Sequence, residues 1–203
     1  MRFTWRFLLV VGIAALMAAS IVLWLSPDPL YHAQEFVGNS RYRAYDRLIR
    51  QVSTKHGLDP LLIKAIVWRE SAFHPEKVGT SGERGLMQVT ERAAADWARA
   101  EKIETFVPTD LFDARTNLEV GVWYFSKAWE RWKEKDDPIP FALAEYNAGR
   151  SRVDRWIVST NMGDKATAED LLAVIDFPTT QRYIQEITAR YHYYQDRVER
   201  GPP

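Results

Sequence analysis

The chain has 203 residues, of which 46% are hydrophobic and 27% are charged, so it is long enough for one well-buried domain with a short extension. Its 27 basic and 27 acidic side chains give a net charge of zero, without the basic excess of a nucleic-acid-binding surface. The absence of cysteine excludes disulfides and thiolate metal sites, and the four histidines lack the spacing of zinc ligands. We therefore expect no nucleic-acid partner and no metal.

An uncharged run of 19 residues, Phe7 to Leu25, stands near the N-terminus. Its length matches the hydrocarbon core of a bilayer. Because Arg2 and Arg6 precede the run and Asp28 follows it, the positive-inside rule places the N-terminus in the cytoplasm and the remaining chain outside. We therefore predict that residues 1–25 form a signal anchor with one transmembrane helix. The anchor would lie in the inner (cytoplasmic) membrane, with the rest of the chain on the periplasmic side.

The rival interpretation of this run is a cleaved signal peptide. Such a peptide has an apolar region of about 7–15 residues, followed by a small-x-small cleavage site. Ala18-Ala19-Ser20 supplies small residues, but the apolar run continues past them to Leu25, so the uncleaved anchor is favoured. Residues 26–40, which contain two prolines, are predicted to be a tether, and residues 41–200 the functional domain.

Apolar periodicity in the predicted domain is helical almost throughout, with no internal repeat and no convincing strand. It predicts helices over residues 41–55, 61–71, 91–102, 116–135 and 138–148, a short helix around 153–157, one from Thr167 to Ile175, and a final helix that starts at Phe177-Pro178-Thr179. Gly121 lies inside the longest of these and costs about 1 kcal/mol relative to alanine, which predicts a close helix contact. The predicted fold class is mainly α.

The helix predicted over residues 61–71 places a carboxylic acid on an apolar stripe. Asp59 as N-cap and Pro60 at the first helical position mark its start. At about 100° per residue, Glu70 shares a stripe with three branched apolar residues, Ile63, Ile66 and Val67. Desolvation and the negative end of the helix dipole both predict a raised pKa for Glu70, as a general acid for glycoside cleavage needs. By itself, the pattern also fits a surface or salt-bridged glutamate at a helix end.

Three short motifs follow one another in the predicted domain: Glu70-Ser71-Ala72-Phe73, Gly85-Leu86-Met87-Gln88 and Glu145-Tyr146-Asn147-Ala148-Gly149. With this order, spacing and helical pattern, the chain resembles the soluble lytic transglycosylase (SLT) family of peptidoglycan enzymes over residues 41–194. The resemblance includes the closing element of the family, seen here as Phe177 to Ile184 with Tyr183 in its tyrosine position.

The resemblance implies a lysozyme-like, mainly helical domain that acts on peptidoglycan glycan strands. The implied reaction is non-hydrolytic cleavage of the bond between N-acetylmuramic acid and N-acetylglucosamine, which leaves a 1,6-anhydromuramic end. Glu70 would be the catalytic residue, and neither a metal nor an organic cofactor would take part.

The resemblance also implies roles for five further side chains. Gln88 and Tyr146 would hydrogen-bond the substrate or the region of the catalytic acid, and Asn147 would position the cleft backbone. Ser71 would order the loop beside the acid, and Tyr183 would close the cleft from the final helix. The simpler interpretations are that Asn147 only caps its helix and that Tyr146 is a core tyrosine with a satisfied hydroxyl.

The chemistry of such a site is compatible with a single acid. Glycosidases generally use two carboxylates, whereas only Glu70 stands in a convincing site here. The muramic N-acetyl oxygen can trap the oxocarbenium-like centre, and the 6-hydroxyl of the same sugar can then attack at high effective concentration. Glu70 would first protonate the leaving oxygen and then accept the proton of that hydroxyl.

The chain departs from the family pattern at three positions. Thr90 stands where a methionine commonly lines the sugar site, Glu145 where alanine is usual, and Thr179 where the closing element often has glutamate. A second acid in the cleft would favour a hydrolytic muramidase of the goose-lysozyme type, and Glu145, Asp110 and Asp113 are the candidates. The third interpretation is a non-catalytic peptidoglycan-binding module. No segment indicates a protein partner.

Overall fold

The structure, a computed structural model, describes residues 7–13, 17 and 39–199. The chain divides into two compact units, Met1–Ala44 and Tyr45–Pro203. None of the helices formed by the described residues has the length and apolarity needed to cross a membrane.

In the first unit, residues 7–13 are helical, and helix α1 covers Asn39–Ala44. Most of the anchor predicted over residues 7–25 lies outside the described residues, as does the predicted tether up to residue 38. The anchor and the tether therefore stay predictions.

The second unit is built from helices. Its described part contains α2 (Asp46–Lys55), α3 (Pro60–Ser71), α4 (Glu91–Ala100), α5 (Ala114–Trp132), α6 (Ile139–Ala148), α7 (Arg150–Ser159), α8 (Ala168–Val174), α9 (Pro178–Glu199) and the 3₁₀ helices Pro108–Phe112 and Gly163–Lys165. Within that part, strand-like pairing is limited to isolated bridges from Arg84 to Val78 and to Val89. The predicted mainly α class is confirmed.

Several helix boundaries differ from those predicted, among them a break at Tyr45 and the start of α5. The helix predicted over residues 41–55 is interrupted at Tyr45, whose ψ of 2° lies outside the helical range. A break of one residue leaves the apolar periodicity intact, so the pattern did not reveal it. Helix α5 begins at Ala114 and not at Thr116, because the Asp113 carboxylate caps it by accepting the Thr116 amide at 2.8 Å.

Helices α3 and α6 form the core of the second unit. Helix α3 packs against α2 and α9, while α6 packs against α5, α7, α8 and α9. The predicted stripe of α3 is confirmed: Ile63, Ile66 and Val67 are fully buried. Since α9 contacts both core helices, side chains from α3, α6 and α9 can meet at one place.

Candidate active site

Glu70 lies one residue before the end of α3. Asp59 starts this helix as predicted, since its carboxylate accepts the Leu61 amide at 2.8 Å. The helix stops because Ala72 and Phe73 adopt left-handed conformations, with φ of 49° and 63°. Two consecutive non-glycine residues in this region are uncommon, and such strain gathers at functional sites.

The Glu70 carboxyl is partly buried and is held by a phenol from α9. The Tyr183 hydroxyl donates a hydrogen bond to Glu70 Oε1 at 2.7 Å. Burial raises the pKa of Glu70 to about 7, although this hydrogen bond and the charges of Arg69 and Lys77 lower it; the charge of Glu83 raises it. At neutral pH the group is therefore present in both forms and can donate or accept a proton.

The cations next to Glu70 are engaged with other groups. The Arg69 guanidinium pairs with Glu186 and lies over the Tyr183 ring, 5.7 Å from its centroid. The Lys77 ammonium donates to the backbone carbonyl of Glu70, at the negative end of α3. Within the described residues, no ion pair includes the Glu70 carboxylate.

The loop that carries the Gly-Leu-Met-Gln motif is fastened to α5 by Asn117, which the sequence reasoning missed. The fully buried Asn117 amide accepts the Met87 N–H at 2.8 Å and donates to the carbonyls of Arg84 and Leu111 at 2.7 and 2.8 Å. Gly85 has φ of +76°, and a Cβ there would lie 2.2 Å from Asn117 Nδ2. Glycine is thus required beside this clamp. A polar residue within an apolar stripe was the available signal.

Gln88 and Tyr146 lie in the cleft beside Glu70. The Gln88 side-chain amide donates to the carbonyls of Lys77 and Gly85 at 3.1 and 3.0 Å. The Tyr146 hydroxyl donates to the Met87 carbonyl at 2.9 Å. Burial raises the pKa of Tyr146 well above its ordinary value, as it does for Tyr183, so both phenols keep their protons at neutral pH.

Asn147 joins α6 to α9 close to the cleft. Its side-chain oxygen accepts a hydrogen bond from the Thr180 hydroxyl at 2.8 Å. The helix ends one residue later at Ala148, and Gly149 follows as its C-cap with φ of +85°. Asn147 therefore does more than terminate its helix, because its side chain also connects to the final helix.

Most of these groups line an open cleft with a volume of about 500 Å³. Four of the predicted site residues line it: Glu70, Gln88, Tyr146 and Asn147. Ser71 does not, since it is 2% exposed and its hydroxyl donates to the Val67 carbonyl of its own helix at 3.2 Å. Tyr183 is 3% exposed and reaches the site through its bond to Glu70. The expected role of Ser71 in ordering the adjacent loop stays a prediction.

Sequence reasoning missed several other cleft residues. Tyr124 from α5 is 39% exposed and stands edge-on to Tyr146, with 6.1 Å between ring centroids. Exposed aromatic faces of this kind can stack on sugar rings. Arg69, Lys77 and Glu83 bring charges to the same cleft. Lys77 and Glu83 stand on the loop between α3 and α4, whose geometry helical periodicity does not report.

None of the three acids proposed as a second catalytic carboxylate lines the cleft. The Glu145 carboxylate accepts hydrogen bonds from the Arg131 guanidinium and, at 2.8 Å, from the Trp132 indole. Asp110 accepts the Val107 amide at 2.9 Å, and Asp113 caps α5. These three candidates for a second acid, which the rival muramidase interpretation would need, are therefore each committed to local structure.

Among the residues that the structure describes, no group of three or more His, Asp or Glu side chains is arranged to hold a metal ion. The donor set of the cleft, which consists of carboxyl, amide, phenol and cationic groups, is suited to hydrogen-bonding a polyhydroxylated ligand.

A protein-family profile and several known proteins match this chain. The profile of the transglycosylase SLT domain matches residues 47–168, more than half of the chain. The membrane-bound lytic murein transglycosylase F of Desulfosudis oleivorans is 31% identical over 79% of this chain and 34% of its own length. The soluble lytic murein transglycosylase of Escherichia coli K12 is 27% identical over 75% of this chain and 23% of its own length.

Solved structures share the fold. The 70-kDa soluble lytic transglycosylase in complex with bulgecin A superposes with a TM-score of 0.68 at 27% identity, covering 75% of this chain and 24% of that one. The chain thus spans about a third or less of the length of these two lytic transglycosylases. The described domain has the lysozyme-like SLT fold, and the chain belongs to the transglycosylase SLT domain family.

Proposed function

We propose that the chain is a murein lytic transglycosylase that cleaves the β-1,4 bond between N-acetylmuramic acid and N-acetylglucosamine without water. The observation that carries the proposal is the partly buried Glu70 carboxyl, held by Tyr183 at 2.7 Å and facing an open polar cleft. A pKa of about 7 suits a group that must first give a proton and then take one. The names of the relatives agree with this activity.

The reaction would proceed in two steps with Glu70 in both. In the first, Glu70 protonates the leaving glycosidic oxygen while the N-acetyl oxygen of the muramic sugar traps the anomeric carbon. In the second, the 6-hydroxyl of that sugar attacks the anomeric carbon and Glu70 accepts its proton, which closes the 1,6-anhydro ring. The second step is intramolecular, so it benefits from a high effective concentration.

The remaining site residues would prepare this chemistry. Tyr183 would orient the Glu70 carboxyl, and Tyr146 would fix the loop through the Met87 carbonyl. Gln88 would offer its amide oxygen to the substrate, because its amide nitrogen is already bonded to two carbonyls. Asn147 would hold the cleft edge through Thr180.

The proposal also includes the place of action. Residues 1–25 would anchor the chain in the inner membrane, residues 26–40 would act as the tether, and residues 41–200 would meet peptidoglycan on the periplasmic side. Matching relatives that are named membrane-bound support this arrangement. Membrane fractionation with an immunoblot tests it: loss of about 20 residues of mass would show cleavage at a signal-peptide site and refute the anchor.

The activity is tested by digesting purified sacculi with the full chain in mild detergent and weighing the released muropeptides. Anhydro ends are one water lighter than hydrolysed ends, so a majority of anhydro ends supports the proposal. Products with reducing ends alone would replace it with a muramidase of the goose-lysozyme type. Tight binding without any release of muropeptides would replace it with a non-catalytic peptidoglycan-binding module.

A further inference from the structure

A second carboxylate, that of Glu83, lines the same cleft as Glu70. It belongs to the loop between α3 and α4, whereas Glu70 belongs to the end of α3. Glu83 Oε2 accepts the Ser81 amide at 3.0 Å, which fixes the side chain against its own loop. No ion pair between described residues includes the Glu83 carboxylate.

Gly79 makes room for this carboxylate. A Cβ at Gly79 would lie 2.3 Å from Glu83 Oε2 and 2.9 Å from Gln88 Oε1. Both acceptor oxygens therefore lie over the same glycine, in a space that any other residue would fill. Because the Gln88 amide nitrogen donates to the carbonyls of Lys77 and Gly85, its oxygen is the atom presented here. All of these residues line the cleft except Gly85.

Two neighbouring acceptors in a glycan cleft are suited to holding a hydrogen-bond donor. A water molecule can donate one hydrogen to a carboxylate and another to an amide oxygen. Inverting glycosidases use such a water, activated by a carboxylate that is distinct from the acid. Glu70 already meets the requirements of the acid, and Glu83 is a separate carboxylate in the same cleft.

We propose that Glu83, assisted by the Gln88 amide oxygen, positions and deprotonates a water molecule, so that the site also hydrolyses a minor share of the bonds that it cleaves. This proposal rests on the proposed function, since it needs the same substrate and the same acid. It assigns to Glu83 the second role that sequence reasoning had offered to Glu145.

The hydrolytic step balances as a single displacement. The water oxygen forms a bond to the anomeric carbon as the bond from that carbon to the leaving oxygen breaks. The Glu70 proton passes to the leaving oxygen, and a proton of the water passes to Glu83. Proton exchange with solvent then restores both groups. The anhydro product remains the major one, because the 6-hydroxyl competes at high effective concentration.

The experiment is the sacculus digestion with the full chain, comparing wild type with Glu83→Gln. The amide keeps an oxygen to accept the Ser81 N–H but cannot take a proton. General-base catalysis contributes about 10²–10⁴-fold, so we expect the reducing-end products to fall at least tenfold while the anhydro products stay within about twofold. A digest with Glu70→Gln gives the background of reducing ends already present in the sacculi.

Two further variants keep the test decisive. Glu145→Gln is the matched control, since Glu145 is held by Arg131 and Trp132 away from the cleft, and it should leave the product ratio unchanged. Glu83→Asp keeps a carboxylate, withdrawn by one methylene, and should give an intermediate share of reducing ends. The thermal unfolding midpoint of each variant shows whether the fold is intact.

Each remaining outcome overturns the inference. Wild type that releases only anhydro ends has no hydrolytic activity, although the proposed transglycosylase function survives. If reducing ends persist in Glu83→Gln, a group other than Glu83 activates the water. A parallel fall of both products would mean that Glu83 serves cleavage in general and not the water. No release at all by wild type would remove the proposed function as well.

Discussion

Helices α3 and α6 each carry a glutamate near the C-terminal end, and the two carboxyl groups have different hydrogen-bond partners. Glu145 of α6 is 11% exposed in its side chain and gives its carboxylate to the Arg131 guanidinium and the Trp132 indole. Glu70 of α3 is also partly buried, but its carboxyl accepts a hydrogen bond from an uncharged partner, the Tyr183 hydroxyl. The difference between these two regions distinguishes an acid that is bound into the structure from the acid that we propose to be catalytic.

The comparison shows that nearby cations do not neutralise an acid unless they are aimed at it. Arg69 adjoins Glu70 in sequence but pairs with Glu186, and Lys77 bonds the Glu70 backbone carbonyl. Burial therefore decides the pKa of the Glu70 carboxyl. A charged group that is desolvated without a direct ion pair, and that lines a cleft, is the pattern expected of a functional acid.

The largest expected effect separates the two glutamates by activity. Glu70→Gln should lower the rate of muropeptide release by at least about 10²-fold, because the amide is nearly isosteric but cannot donate a proton. Glu145→Gln should retain most of the activity. Zymography followed by quantified release from sacculi measures both, and equal clearing by Glu70→Gln would refute catalysis by Glu70.

The next effect concerns stability. The pKa of Glu70 is raised from 4.5 to about 7 in the folded protein, so folding favours its protonated form. This contribution is fully present below pH 4.5 and is lost as the pH rises through 7. As the pH rises from 4.5 to 8, the unfolding free energy of wild type should therefore fall by up to about 3 kcal/mol relative to that of Glu70→Gln. Urea denaturation of both proteins at the two pH values gives this difference.

A difference in unfolding free energy that is the same at both pH values would mean that the Glu70 carboxyl titrates alike in the folded and unfolded chain. The proposed acid would then be ionised at neutral pH and poorly suited to protonate a leaving group.

Tyr183→Phe should change both rate and pH profile. The lost hydrogen bond to a charged acceptor is worth about 1.5–3 kcal/mol, and it favours the ionised form of Glu70. Its removal raises the pKa of Glu70 further, so the alkaline limb of the activity profile moves upward by about one to two pH units. The rate at the optimum falls roughly tenfold because the carboxyl is less well oriented. A slower enzyme with an unmoved alkaline limb would contradict this role.

The smallest effect concerns the structural acid. Arg131→Met removes the cation from Glu145 and should cost about 1–2 kcal/mol of unfolding free energy, since a partly buried carboxylate loses a partner. The pH profile of cleavage should stay unchanged, because Glu145 does not line the cleft. Thermal denaturation and initial rates over a pH series measure the two quantities, and a shifted profile would contradict the separation of the two regions.

The features that could be predicted from sequence are those set by local rules. The start of α3 follows from Asp59 and Pro60, and its buried stripe follows from helical periodicity. A close approach at Gly121 is confirmed, because a Cβ there would lie 2.6 Å from the Met87 sulfur, but the neighbour is a loop residue and not the helix that was predicted.

The features that sequence did not reveal depend on loop geometry and on pairs distant in the chain. Glu83 faces the cleft because Gly79 leaves room and because Gly85 turns the loop with positive φ. Asn117 reaches that loop from α5, thirty positions beyond Met87. Glu145 stood among the candidates for a second acid because its partner Arg131 meets it only when α5 packs on α6.

The most direct test of the central claim is the titration of the Glu70 carboxyl carbon by ¹³C NMR in the full chain, assigned by its absence in Glu70→Gln. The account predicts a midpoint near pH 7 for this resonance. It also predicts that the midpoint rises in Tyr183→Phe, where the bond that favours the ionised form is missing. A midpoint between pH 4 and 5, the ordinary range of a solvated glutamate, would contradict the claim that the cleft holds a carboxyl group ready to donate its proton.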